Sequence, residues 1–127
     1  MKELLIDTNF LVECVKNKID LYSELRRILD FGFEVAILDR TLDELDTIVA
    51  RGKKEGQYAK LARTILMTKK VTVIPTEGGH TDNLLLAKAD ENHIIATMDK
   101  VLRQRLKRKG QDVVIIRAQK KLEVFKA

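Results

Sequence analysis

Leu4-Leu5-Ile6-Asp7-Thr8-Asn9-Phe10-Leu11-Val12-Glu13-Cys14-Val15 decides how the rest of the chain is read. A short apolar run from Glu3 to Ile6 has the length and continuity of a buried strand, and Asp7-Thr8-Asn9 stops it. Phe10, Leu11, Cys14 and Val15 then recur at helical spacing. The change from strand period to helix period across Asp7 makes this a β–α unit with an acid at the strand's carboxyl end.

The same alternation continues. Leu21, Leu25, Ile28 and Leu29 mark a helix ending at Gly32, and Val35–Leu38 a strand. Thr41 to Ala50 reads as a helix with Leu42, Leu45, Ile48 and Val49 inward, closed by Gly52. Residues 51–56 read as a loop, and Tyr58, Leu61, Ile65 and Leu66 as the inner face of the next helix. Val71–Ile74 is a strand before Pro75, with Gly78-Gly79 a loop; Thr81–Asn92 is helical, His93–Thr97 a strand, Lys100–Lys109 helical and Val113–Arg117 a last strand. Apolar strands alternating with helices predict a three-layer α/β/α fold with a mainly parallel sheet of about five short strands. Residues 1–127 are expected to form a single domain, with 118–127 a basic C-terminal extension.

Composition narrows the classes. With 45% hydrophobic residues the chain is not disordered, and no apolar run reaches the roughly 20 residues of a bilayer span, so no membrane role is expected. The start, Met1-Lys2-Glu3, lacks the pattern of a signal peptide, and cytoplasm is the expected compartment. Cys14 is the single cysteine, which excludes an internal disulfide and a multi-cysteine metal site. A net charge of +5 favours an anionic partner such as nucleic acid. High charge with little cysteine also fits a heat-adapted source.

In a parallel sheet with right-handed crossovers, the strands' carboxyl ends share one edge, where ligands bind. Asp7, Asp39 and Asp99 follow strands, Glu44 lies in the first turns of a helix, and Asp82 opens another. Each acid alone suits a helix N-terminus, where a cap contributes about 0.5–2 kcal/mol, and Thr41-Leu42-Asp43-Glu44 reads as a capping box. Together they favour a hard divalent cation, because two like charges about 4 Å apart repel by about 4 kcal/mol at an effective dielectric of 20.

The motifs resemble those of PIN domains. Leu5-Ile6-Asp7-Thr8-Asn9-Phe10-Leu11 is similar to the family's first-strand motif, Leu42-Asp43-Glu44-Leu45 to its acidic helix, Thr81-Asp82-Asn83-Leu84-Leu85 to its third acidic motif, and Ile95-Ala96-Thr97-Met98-Asp99-Lys100 to its fourth. The resemblance implies Mg2+ or Mn2+ ligands at Asp7, Asp82 and Asp99, with Glu44 a ligand or an acid just outside the ligand set. Asn9 and Thr97 fall where relatives support the acids or bound water by hydrogen bonds. It implies an endoribonuclease hydrolysing RNA with metal-activated water and no covalent intermediate. A homodimer is expected, and the partner besides RNA would be an antitoxin protein or a ribosomal precursor. Asp-Thr-Asn-Phe and Ala-Thr-x-Asp are closer to the rRNA-processing branch than to typical toxins, with Met98 a departure from it.

Lys100, Arg103 and Lys107 recur at i, i+3, i+7 beside Asp99 and are the candidate nucleic-acid contacts. His80 and His93 read as loop and structural residues. A dehalogenase-like phosphatase would carry a second Asp where Asn9 stands, and a receiver domain would need a Lys after its last strand, where Arg117-Ala118 stands. The alternative is a catalytically weak PIN-fold module that binds RNA or protein in ribosome biogenesis.

Overall fold

The computed structural model describes residues 1–127. Its strands are β1 (Lys2–Ile6), β2 (Phe33–Leu38), β3 (Thr72–Ile74), β4 (His93–Ala96), β5 (Val113–Arg117) and β6 (Lys121–Phe125). Its helices are α1 (Thr8–Lys16), α2 (Leu21–Ile28), α3 (Asp39–Arg51), α4 (Lys53–Thr68), α5 (Thr81–Lys88) and α6 (Lys100–Arg108). No helix is long and apolar enough to cross a membrane.

The strands form one sheet in the order β3-β2-β1-β4-β5-β6, parallel except for β6, which runs antiparallel to β5. Alternate side chains of β1 face opposite layers: Leu4 and Ile6 join the core beneath α1–α4, and Leu5 joins the core beneath α5 and α6. The chain winds from β1 outward to β3, then returns to β4 on the other side of β1. The crevice between outgoing and returning halves opens at the carboxyl ends of β1 and β4, the place where such sheets bind ligands.

The sheet has six strands, one more than the alternation predicted. Residues 121–125, expected as part of a basic extension, alternate between outward Lys121 and buried Leu122 and pair with β5 through a turn with Ala118 and Gln119 at positive φ. The stretch 51–56 is not a loop. Gly52, at φ 75°, is the whole break, and α4 begins at Lys53. Gly56 is buried against α3; a Cβ there would lie 3.2 Å from the Val49 carbonyl oxygen. That close approach also rotates α4. Ala59, Ala62 and Leu66 face inward, Tyr58 is half-buried, and Leu61 is exposed, because the tight crossing admits small side chains in place of bulky ones. Helix α3 starts at Asp39, two residues before the expected Thr41, and α5 ends at Lys88, short of the expected Asn92. His93 is structural, paired with Glu3 at 3.0 Å and Asp90 at 2.7 Å.

Strand β6 is fastened to α2. The Glu24 carboxylate accepts from Arg27 Nε and from the Leu122 N–H, both at 2.9 Å, and Arg27 donates to the Leu122 carbonyl at 2.8 Å. The Arg27 guanidinium and then the Leu122 N–H pull the Glu24 carboxyl down from 4.5 to about 2. A depressed acid contributes stability above its unfolded pKa and loses it as pH falls through the folded value. The melting temperature of Glu24→Gln should therefore lie below wild type above pH 4.5, with the gap closing towards pH 2. A gap of constant size across that range, in parallel thermal melts, would exclude this linkage.

Candidate active site

Asp7 directly follows β1 and caps α1. Its Oδ1 accepts from the Thr8 N–H at 2.8 Å and its Oδ2 from the Thr97 hydroxyl at 2.9 Å. The cap reading of Asp7 thus holds for one oxygen, and the second is committed across the sheet to the end of β4. Asp7 is 9% exposed, and burial pushes its carboxyl above the usual aspartate range, opposed by the Thr97 and Thr8 hydrogen bonds and reinforced by the charges of Glu44 and Asp82.

Thr97 is the joint between two acids. It is fully buried; its hydroxyl donates to Asp7 and accepts the Asp99 N–H at 3.1 Å. Asp99 in turn caps α6, accepting from the Leu102 N–H at 3.0 Å. Asp82, in the first turn of α5, is pushed up by burial and then by the charge of Asp99; Arg105 and His80 counter the shift.

Glu44 does not close a capping box. Leu38 is the residue before α3, and Thr41 lies inside the helix, so Glu44 is free to face the start of α1. Its Oε1 accepts from the Thr8 hydroxyl at 2.9 Å, with the Thr41 hydroxyl 3.3 Å from that of Thr8. Thr8 and Thr41 are both buried; from the sequence, Thr41 had only a capping role and Thr8 none of its own. Their places, beside Asp7 and one helical turn before Glu44, were the available signal. Asn9 is exposed and makes no hydrogen bond to an acid.

The four acids therefore neighbour one another by pairs: Asp7 with Glu44 and Asp82, and Asp82 with Asp99. No three of the protein's Asp, Glu, His or Cys side chains close into a ready-made metal cage. The donors are oxygen throughout. Cys14 lies in the core, where burial pushes its thiol up to about 12 and leaves it inert. A donor set of hard oxygens in a loose cluster suits Mg2+ or Mn2+, of which Mg2+ takes few protein carboxylates and keeps several waters. None of the four acids forms an ion pair, in a chain with 24 Lys and Arg.

Asp39, the remaining acid after a strand, belongs elsewhere: it accepts from Thr76 and stays outside the cluster. The basic helix is also rearranged. Burial of Leu102 and Leu106 sets Arg103 and Lys107 over the Phe125 ring of β6, at 4.9 and 5.5 Å from its centroid, with Lys100 and Lys107 both exposed. Arg105, in the same run but on another side of the helix, is the cation that acts on Asp82.

A family model described as a PIN-like domain matches residues 4–119. The chain is 32% identical over 129 residues to "Ribonuclease VapC4" of Methanocaldococcus jannaschii, covering 98% of each sequence. Its structure is similar to that of the PIN domain endonuclease Utp24, with a TM-score of 0.80, 25% identity, and coverage of 98% of this chain and 92% of that one. VapBC2 from Rickettsia felis, solved bound to a DNA fragment from its promoter, shares the fold at a TM-score of 0.53 and 16% identity, over 84% of this chain and 92% of that one.

Proposed function

The chain belongs to the PIN-like domain family, and from that premise we propose that it is an Mg2+- or Mn2+-dependent endoribonuclease whose ion is held by Asp7, Asp82 and Asp99, with Glu44 beside them. One observation carries the reading: a buried aspartate and three neighbouring acids share the ligand-binding edge of the sheet with no ion pair among them. Structural carboxylates at a buried position are normally paired, because burying a lone charge is costly. A divalent cation would make the same four charges mutually favourable.

When bound, the ion lowers the pKa of a water and offsets charge on the phosphodiester. The chain's own residues have separable tasks. The Thr97 and Thr8 hydrogen bonds oppose the effect of burial on the Asp7 carboxyl. Thr97 also sets the spacing of Asp7 and Asp99, and Thr8 orients Glu44. Arg105, next to Asp82, is placed to meet a backbone phosphate, and exposed Lys100 extends the positive charge. Arg103 and Lys107, stacked on Phe125, contribute charge at a distance.

The relatives named as a ribonuclease and an endonuclease support RNA as the substrate class; an antitoxin protein or a ribosomal precursor is the further partner of this reading. Single-stranded RNA incubated with Mn2+ should be cut by the native protein and spared by Asp99→Asn. Equal degradation by both would assign the activity to a contaminant, and no degradation by either would favour the alternative of a PIN-fold binding module. Because Asp7 and Asp82 are raised and the ion binds only ionised carboxylates, cleavage should decline on acidification from a pH higher than ordinary aspartates would set. A pH–rate profile in saturating RNA reads this directly.

A further inference from the structure

Asp7, Glu44 and Asp99 are each held by a protein donor, whereas Asp82 is held by none. Its helix is also the least anchored near the site. Helix α5 has no side-chain cap, its N-terminal residue His80 is exposed, and Leu85 is its one fully buried side chain. What places Asp82 is therefore the segment that enters α5, Pro75-Thr76-Glu77-Gly78-Gly79-His80. With two glycines, Gly79 at φ 108°, this segment has little stiffness of its own.

The first turn of α3 grips that segment at both ends. Asp39 Oδ1 accepts from the Thr76 hydroxyl at 2.5 Å and Oδ2 from the Thr76 N–H at 3.0 Å. These two bonds hold the Asp39 carboxyl below the usual range. Arg40 donates to the Gly79 carbonyl. Asp39 and Arg40 are themselves fixed by direct continuation from β2, whose Leu38 is fully buried. We infer that Asp39 and Arg40 are positioning residues: they clamp segment 75–80 to the end of β2 and so set where Asp82 stands relative to Asp7 and Asp99. This rests on the metal-site reading above for its consequence, though not for the clamp itself.

The test uses the full chain. In metal-free protein, Asp39→Ala should speed amide hydrogen exchange across residues 76–84 by roughly 10-fold or more, with residues 2–12 unchanged. Calorimetric titration should show Mn2+ bound about 10- to 100-fold more weakly, the range typical when a group supporting a ligand is removed. Thr76→Ser, which keeps both donors, should match the native chain in both. RNA cleavage by Asp39→Ala should fall in kcat with KM nearly unchanged, since Asp39 touches protein and not substrate. Unchanged exchange and Mn2+ affinity would overturn the clamp. So would a defect confined to KM, which would place Asp39 and Arg40 on the RNA path. If the native chain itself binds no Mn2+, the metal reading falls, and the exchange rates still decide for or against the clamp.

Discussion

Asp7→Asn should abolish RNA cleavage and, in the same preparation, raise the melting temperature of the metal-free protein. The two effects share one cause. Burial, with the charges of Glu44 and Asp82, raises the Asp7 carboxyl above the usual aspartate range. A folded-state pKa above the unfolded one means that the folded chain binds that proton more tightly. Stability is then fully present at low pH and is lost as pH rises through the folded value. Ionising Asp7 works against the fold, and an amide removes the charge while keeping an oxygen for the Thr8 N–H. Each kcal/mol recovered is worth roughly 4 °C in a domain of this size. Cleavage should fall by at least about 100-fold, the upper end of what loss of a mere supporting group produces. Saturating Mn2+ supplies the cross-check: at about 100 times its Kd it should stabilise the native chain by about 2.7 kcal/mol and leave the variant's melt unmoved. Scanning fluorimetry in the presence and absence of Mn2+ reads all of this. A variant that melts lower than native yet still responds fully to Mn2+ would show Asp7 to be a structural cap.

Thr97→Val should damage stability and cleavage together. The substitution is nearly isosteric, so packing of the buried site is kept while two hydrogen bonds are lost, one to Asp7 and one from the Asp99 N–H. Each orphaned buried group costs about 1–3 kcal/mol. A loss of about 2–4 kcal/mol in urea or thermal denaturation is expected, with cleavage about 10- to 100-fold slower. Removing the bond that lowers the Asp7 carboxyl also moves the acidic limb of the pH–rate profile upward. Thr97→Ser keeps the hydroxyl and should lose only the methyl's burial, about 0.8 kcal/mol, with the native pH profile. If Ser and Val are equally impaired, the methyl matters and the hydroxyl does not, and Thr97 is only a core residue.

Which parts of the site were readable depended on how local their causes are. Asp7 and Asp99 were legible because each ends an apolar run and begins a helix, a pattern contained within a few residues. Glu44 looked like a cap because Thr41 precedes it at the right interval, and only the early start of α3 at Asp39 turns it towards Thr8. Asp39 and Asp99 looked alike in sequence, each following a strand, yet one clamps a loop and the other joins the acids. Arg105 was hidden in a basic run, where the residue facing Asp82 depends on the helix's rotation about Leu102 and Leu106. Helix α4 shows the converse error: Leu61 and Ile65 are the more hydrophobic side chains, but Gly56, Ala59 and Ala62 let the helix approach α3 closely.

Taken alone, the sequence determined the layered α/β order, the parallel strands and the acids at their carboxyl ends, because strand and helix periods are properties of neighbouring residues. Strand order is not such a property. The return of β4 to the flank of β1 brings Thr97 to Asp7 across 90 residues of chain, and it separates Asp39 from the acids it resembles. Those meetings were decided only by the tertiary structure, since their energy comes from burying two layers against one sheet and is recorded in no local period.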